Sequence, residues 1–307
     1  MSKNGAVMRL AKLNFGKLRT FGRILNKNSD KQKRNLVFQS LLSGDDITLD
    51  TCTFEEVLPY SLLSIPISTI TPNDNIWIAT SMLARISDIT SNLVVVEDEF
   101  PIGTVSAFDI INGLQKDPTP RFFDTAVTKI MNVDYYIDSR NVNVANILKR
   151  MKRVRNPFTL IQNDKMNFSQ FSIRQVLEIG ALCKNNVSAS SFPKKQIPVY
   201  KRQDTIRDVV EILNKDKNQL ALLEGEISFV NSEILLEKIK ELNTPQIQNI
   251  LELSASTFKT ITPTLISERM TLSDICKIMI NTRYPCVMTS EQVITPQDVL
   301  EILCEGP

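Results

Sequence analysis

The stretch SASSFPKK, starting at Ser188, returns 66 residues later as SASTFKTI from Ser254. The offset persists downstream, where VYKRQDTIRDVVEIL faces LISERMTLSDICKIM. Thr205 then stands opposite Thr271, Asp208 opposite Asp274 and Val209 opposite Ile275. In the first half, NIWIATSML from Asn75 matches NVNVANILK from Asn141, again 66 apart. A fixed period of this size limits a chain to stacked or paired copies of one small unit. Four units of about 60 residues fill the sequence from the mid-50s to residue 307.

Each unit reads in the same order. A short extended piece comes first (IPISTIT, VDYYIDS, QIPVYKR, ITPTLIS). An amphipathic helix follows, as in IWIATSMLARI and IRDVVEILNK, with apolar residues at i, i+3 and i+4. NLVVVE, PFTLIQ, QLALLE and PCVMTS come next, runs too short and too β-rich for helices. A turn, a second strand and a closing helix (DIINGL, SIRQVLEI, EILLEKI, DVLEIL) complete the unit. Such a small α/β unit has a bare sheet face, which it buries by pairing with another copy.

Composition narrows the chemistry. Histidine is absent, which removes Ser-His-Asp and Cys-His nucleophiles, histidine zinc sites and imidazole acid–base catalysis. The five cysteines, Cys52, Cys183, Cys276, Cys286 and Cys304, are scattered and odd in number. They make neither a disulfide framework nor a CxxC metal site, and the expectation is a reducing cytoplasmic location. No Walker A, GxGxxG or EF-hand spacing occurs, so the chain is expected not to be an enzyme.

Charge is unevenly placed. Residues 1–34 hold ten of the 36 Lys and Arg but only one acid, Asp30, leaving 26 basic and 33 acidic residues elsewhere. Between Val7 and Leu25, Val7, Ala11, Phe15, Leu18, Phe21 and Leu25 share one helical face, with Arg9, Lys12, Arg19 and Arg23 opposite. Three destinations fit this basic amphipathic helix: the acidic body, an anionic membrane surface, or a nucleic acid or protein partner. Its charges interrupt the apolar core that a secretory signal needs. A second basic run, Lys149 to Arg155 (KRMKRVR), reads either as the polar face of a helix or as a nucleic-acid patch. Trp77 reads as a packing anchor.

The unit order, with Gly103-x-x-Ser106-x-x-Asp109 closing the first copy and Thr295-Pro-Gln-Asp298 closing the fourth, resembles the cystathionine-β-synthase (CBS) domain family. The resemblance covers about 250 residues. The layout is similar to the gamma subunit of AMP-activated protein kinase and to archaeal stand-alone four-CBS proteins. It implies an α/β fold of four CBS units, small βαββα-type repeats paired into two Bateman modules that form a pseudo-symmetric disc. The implied boundaries are 51–116, 117–182, 183–245 and 246–307, after a basic helix and linker over 1–50.

The resemblance also implies clefts between paired units for adenosine-containing ligands, AMP, ADP, ATP or S-adenosylmethionine, acting as effectors with no required cofactor. Ser106 and Asp109, and Thr295 and Asp298, would contact the ligand there. A carboxylate accepts from two vicinal hydroxyls, and a helix start favours an anion. The same residues also make good capping boxes, and the two roles are compatible. Ser169 with Ser172 fills the motif weakly in the second unit, and Val230 with Glu233 in the third. Arg155 and Arg283, each before a buried strand, read either as phosphate-facing or as solvated strand-end charges. The implied function is a regulatory sensor that signals occupancy to a protein partner, with homodimers formed by stacked discs. A nucleic-acid-associated protein and a structural subunit with vestigial clefts are the alternatives.

Overall fold

The structure, a computed structural model, describes residues 52–57, 65–87, 89–154, 157–164, 167–183, 187–242 and 249–305. The basic helix expected near the N-terminus and Arg155 lie outside them. The first unit holds α1 (Phe54–Val57), β1 (Thr69–Ile70), α2 (Ile76–Ile86), β2 (Asn92–Glu97), β3 (Phe100–Ser106) and α3 (Ala107–Lys116). The second holds β4 (Ile137–Ser139), α4 (Val144–Arg153), β5 (Phe158–Asp164), β6 (Asn167–Ser172) and α5 (Ile173–Leu182). The third holds β7 (Val199–Tyr200), α6 (Ile206–Lys215), β8 (Leu220–Leu223), β9 (Phe229–Asn231) and α7 (Ser232–Glu241). The fourth holds β10 (Thr264–Leu265), α8 (Leu272–Ile280), β11 (Val287–Met288), β12 (Val293–Ile294) and α9 (Pro296–Glu305).

Each unit makes one three-stranded sheet in chain order. The first strand runs parallel to the second, across the helix that joins them, and the third returns antiparallel. Helix starts are set locally by side chains that satisfy free N–H groups. Asn75, Asn143, Thr205 and Thr271 cap the first helix of each unit, and Ser106, Ser172 and Asn231 cap the second helix of the first three. At α9, Pro296 opens the helix, where a missing N–H costs nothing.

The sheets and helices bury different partners. The sheets of units one and two meet through Val94, Phe158, Leu160 and Phe168, and units three and four are joined where Phe229 of β9 bridges Ile261 on the leader of unit four. The helices pair the other way, α2 and α3 against α6 and α7, and α4 and α5 against α8 and α9. Sheet faces and helix faces thus alternate around a ring of four units.

Within each sheet-paired couple, the leaders are exchanged. Phe54 donates its N–H to Val142 O at 3.1 Å and packs edge-on against Phe171, with ring centroids 4.5 Å apart, so the leader of unit one completes unit two. Phe54 is fully buried there, a gain of about 1.5–3 kcal/mol. In return, Val127 N bonds Asp74 O at 2.9 Å, and Phe123 stacks edge-on against Trp77 at 5.7 Å. Trp77 is thus a packing residue. Units three and four repeat the exchange: Leu272 N bonds Val187 O at 2.9 Å, and Ile206 N bonds Leu253 O at 2.8 Å. No helix among the described residues is long and apolar enough to cross a membrane.

Candidate functional site

The exchange builds a cleft beside the closing helix of unit one, because the leader of unit two must cross the third strand of unit one to reach its own unit. In unit one, Asn132 and Thr104 pair through two backbone hydrogen bonds of 2.8 and 2.9 Å. Gly103 makes this close crossing possible: a Cβ there would stand 3.0 Å from Met131 Sδ and 3.1 Å from Asn132 O. The result is a cavity of about 100 Å³ whose walls include Thr104, Phe108, Asp109, Asn132, Tyr136 and Phe158. Tyr135 also lines it, and its hydroxyl donates to Pro101 O at 2.5 Å, fixing the ring.

Asp109 is both helix cap and cleft wall. Its Oδ2 accepts from Ser106 N at 2.8 Å and from Ser106 Oγ at 2.6 Å, while Asp109 N donates to Ser106 Oγ at 3.3 Å. Those hydrogen bonds favour the ionised form, but burial outweighs them and raises the carboxyl above its ordinary range. Among the described residues no cation pairs with it. A half-buried carboxylate with spare acceptor capacity, set among aromatic side chains, is a receptor for neutral donors.

Unit four carries the same cap with a different neighbour. Asp298 Oδ2 accepts from Thr295 N at 2.7 Å and from Thr295 Oγ1 at 2.8 Å. It also accepts from Lys195 Nζ at 2.5 Å. The same ammonium lies 3.1 Å from Thr295 Oγ1 and 3.0 Å from Asn218 Oδ1. Lys195 arrives on the leader segment of unit three, so the crossing that lines one cleft with Asn132 places a cation in the other.

The closing motifs of units two and three sit in a different register from the sequence reading. Ser172 is the N-cap of α5, and Gln175 occupies the acid's place, its Oε1 accepting from Ser172 N and Oγ at 2.7 Å. Ser172 therefore corresponds to Ser106, not to Asp109. Ser169 lies three residues earlier, inside β6, where its hydroxyl is 3.4 Å from Asn163 Oδ1. In unit three Asn231 is the cap and Ile234 stands in the acid's place, while Val230 lies within β9 and Glu233 is one position short. The cause is local: β6 has a serine every third residue, and a side-chain oxygen caps whichever turn the strand delivers.

Four helix starts converge on a second cavity of about 160 Å³ at the centre of the ring, lined by Ser106, Arg174, Glu233, Thr295 and Gln297 among others. Burial raises Glu233 to about 7, Glu237 adding to the shift while Arg174 and Arg283 oppose it. Gln297 is only 8 % exposed, and its Nε2 has no hydrogen-bond partner among the described residues.

The arginines here tie units together. Arg174 donates to the carbonyls of Ser87 at 2.9 Å and Thr282 at 3.3 Å, and to Arg283 O. Arg283 donates to Ala84 O and Ser87 Oγ, each at 3.0 Å, and pairs with Glu237. Both thereby cap the C-terminal end of α2, where the helix dipole favours positive charge. In the basic run from Lys149, Arg150 pairs with Asp138 and lies 5.2 Å from the Tyr136 ring centre. No cluster of metal-ligating side chains occurs among the described residues.

No protein-family model and no curated protein sequence matches the chain. Solved structures do. Protein MJ1225 of Methanocaldococcus jannaschii, described as a proposed archaeal homologue of g-AMPK, superposes with a TM-score of 0.66 at 16% identity. The match covers 76% of this chain and 95% of that one. An uncharacterized conserved protein of Pyrococcus horikoshii matches 69% of this chain and 91% of its own, with a TM-score of 0.47 and 11% identity. A CBS-domain containing protein of Agrobacterium tumefaciens matches 39% of this chain and 90% of its own, with a TM-score of 0.35 and 15% identity. Four sheets in one repeated order, paired by exchanged leaders, give this chain the fold of the CBS-domain proteins, with four units in one polypeptide.

Proposed function

We propose that this protein is a regulatory sensor that takes an adenosine-containing ligand in the cleft of unit one. The observation that carries the reading is Asp109, a half-buried carboxylate without a cation partner among the described residues, set in a cleft walled by Phe108, Tyr136 and Phe158. An ionised carboxylate accepts from both hydroxyls of a ribose, and charge-assisted bonds of this kind contribute about 1.5–3 kcal/mol each. The aromatic walls offer faces and edges to a base. The fold likeness to a protein described as a homologue of g-AMPK supports the same ligand class. Ser106 and Thr295 reach the central cavity beside four helix starts, a favourable place for negative charge.

Occupancy acts on a partner only through a difference in affinity between two arrangements of the units. The ring supplies the means, since the unit-one cleft is walled by the leader that belongs to unit two. A ligand there bears on the sheet-to-sheet contact, and a protein partner reads the change. No chemical step is proposed for the chain itself.

Calorimetric titration of the full chain with AMP, ADP, ATP and S-adenosylmethionine tests the reading. Micromolar binding of at least one is expected, weakened at least tenfold in Asp109→Asn with an unchanged melting temperature. Binding untouched by that substitution, or no binding of any of the four, refutes it.

A further inference from the structure

We infer that Lys195 is an internal stand-in for a ligand in unit four, and that this one side chain decides which of the two carboxylate clefts is open. The inference rests on the reading of Asp109 and Asp298 as ligand-accepting carboxylates, and extends it from chemistry to stoichiometry. An ammonium has three donors and no acceptor. Lys195 directs them at three oxygens, Asp298 Oδ2 at 2.5 Å, Asn218 Oδ1 at 3.0 Å and Thr295 Oγ1 at 3.1 Å. Every donor of the group is satisfied at once, by residues from two different units.

The position is the decisive point. A ribose hydroxyl bonds a carboxylate at about 2.5–3.0 Å, the range in which the Lys195 nitrogen stands. Two groups cannot occupy that place. A neutral hydroxyl entering the cleft must break a charge-assisted bond to form a bond of the same kind with one charge fewer, and it strands an ammonium whose side chain is only 20% exposed. Prolines on both sides, Pro193 and Pro198, stiffen the segment that carries the lysine. In unit one the corresponding leader presents Asn132 to the cleft, and Asp109 faces no cation among the described residues.

AMP is the probe, titrated by calorimetry into the full chain. Wild type is expected to bind one AMP per chain and Lys195→Ala two. Lys195→Arg, which keeps a cation, and Lys195→Ala/Asp298→Asn, which removes both charges, are expected to bind one. Because Lys195→Ala leaves Asp298 unpaired, its melting temperature is measured with and without AMP, and a larger AMP-induced rise than in wild type is expected. One site in both wild type and Lys195→Ala, with equal melting shifts, overturns the role of Lys195 and leaves the unit-one reading intact. Two sites in wild type also overturn it. Binding to Lys195→Ala but not to wild type overturns the unit-one reading and keeps the lysine's role. AMP bound by neither protein overturns the role of Lys195, and the unit-one reading falls with it when ADP, ATP and S-adenosylmethionine also fail to bind.

Discussion

Helices α5 and α8 approach so closely that one hydrogen atom does the work of a side chain. A Cβ built on Gly180 of α5 would lie 2.5 Å from Cys276 Sγ on α8 and 3.2 Å from Val299 Cγ1 on α9. Both neighbours are fully buried, and carbon atoms pack best at about 3.5–4.0 Å. In Gly180→Ala the helices must therefore move apart or Cys276 must leave its rotamer, at a cost of about 1–3 kcal/mol. Alanine in a helix interior recovers about 1 kcal/mol relative to glycine. The expected net loss is about 1 kcal/mol. In a Cys276→Ala background the sulfur is gone and the nearest remaining atom of that residue, its Cβ, is 3.6 Å away. There only the Val299 contact remains tight and offsets the gain in helix propensity, so the same substitution is expected to be about neutral, a coupling of about 1 kcal/mol. Urea denaturation of wild type, both single variants and the double variant measures it. Additivity within about 0.5 kcal/mol would show that the helices are not held at the spacing described.

Two further outcomes concern protons. Glu233 titrates near 7 in the folded chain against an ordinary value of 4.5, so the folded state holds its proton more tightly and loses stability as pH rises through that window. The loss reaches about 3 kcal/mol by pH 8, and Glu233→Gln is expected to match wild type at pH 4 and exceed it at pH 8 in urea melts; parallel profiles would refute this. Asp109 must ionise to accept from a ribose, and burial raises its pKa, so adenosine affinity is expected to fall as pH drops while still above the ordinary carboxylate range. Adenosine carries no phosphate to confuse the titration, and an equal fall in Asp109→Asn would assign the effect elsewhere.

In the second half the repeat was legible because the 66-residue offset preserves a helix cap, Thr205 and Thr271 both being N-caps; in the first half the caps are Asn75 and Asn143, 68 apart, so the offset to Asn141 read from the sequence is two residues short. The closing motif of unit two was misplaced because Ser169 and Ser172 mimic its spacing, whereas the glutamine at 175 resembles no acid until its amide oxygen is seen at the cap. The partner of Asp298 was hidden by distance along the chain, 103 residues away on another unit's leader. From its place before a strand, Arg283 read either as phosphate-facing or as a solvated strand-end charge. Its bonds to the end of α2 belong to a helix-to-helix contact that no local pattern encodes.

The alternation of sheet and helix contacts also sets a timetable for synthesis. The helical face of unit two is complete once Leu182 is made, yet its partners α8 and α9 run to Glu305. At about 5–20 residues per second, those 123 residues leave an apolar helix face waiting for roughly 6–25 s on a nascent chain. Unit one waits as long for α6 and α7, since 125 residues separate Lys116 from Glu241. Units one and two are therefore the segments most dependent on chaperone cover. Substitutions that slow translation between units two and four are expected to reduce yield without altering the finished protein.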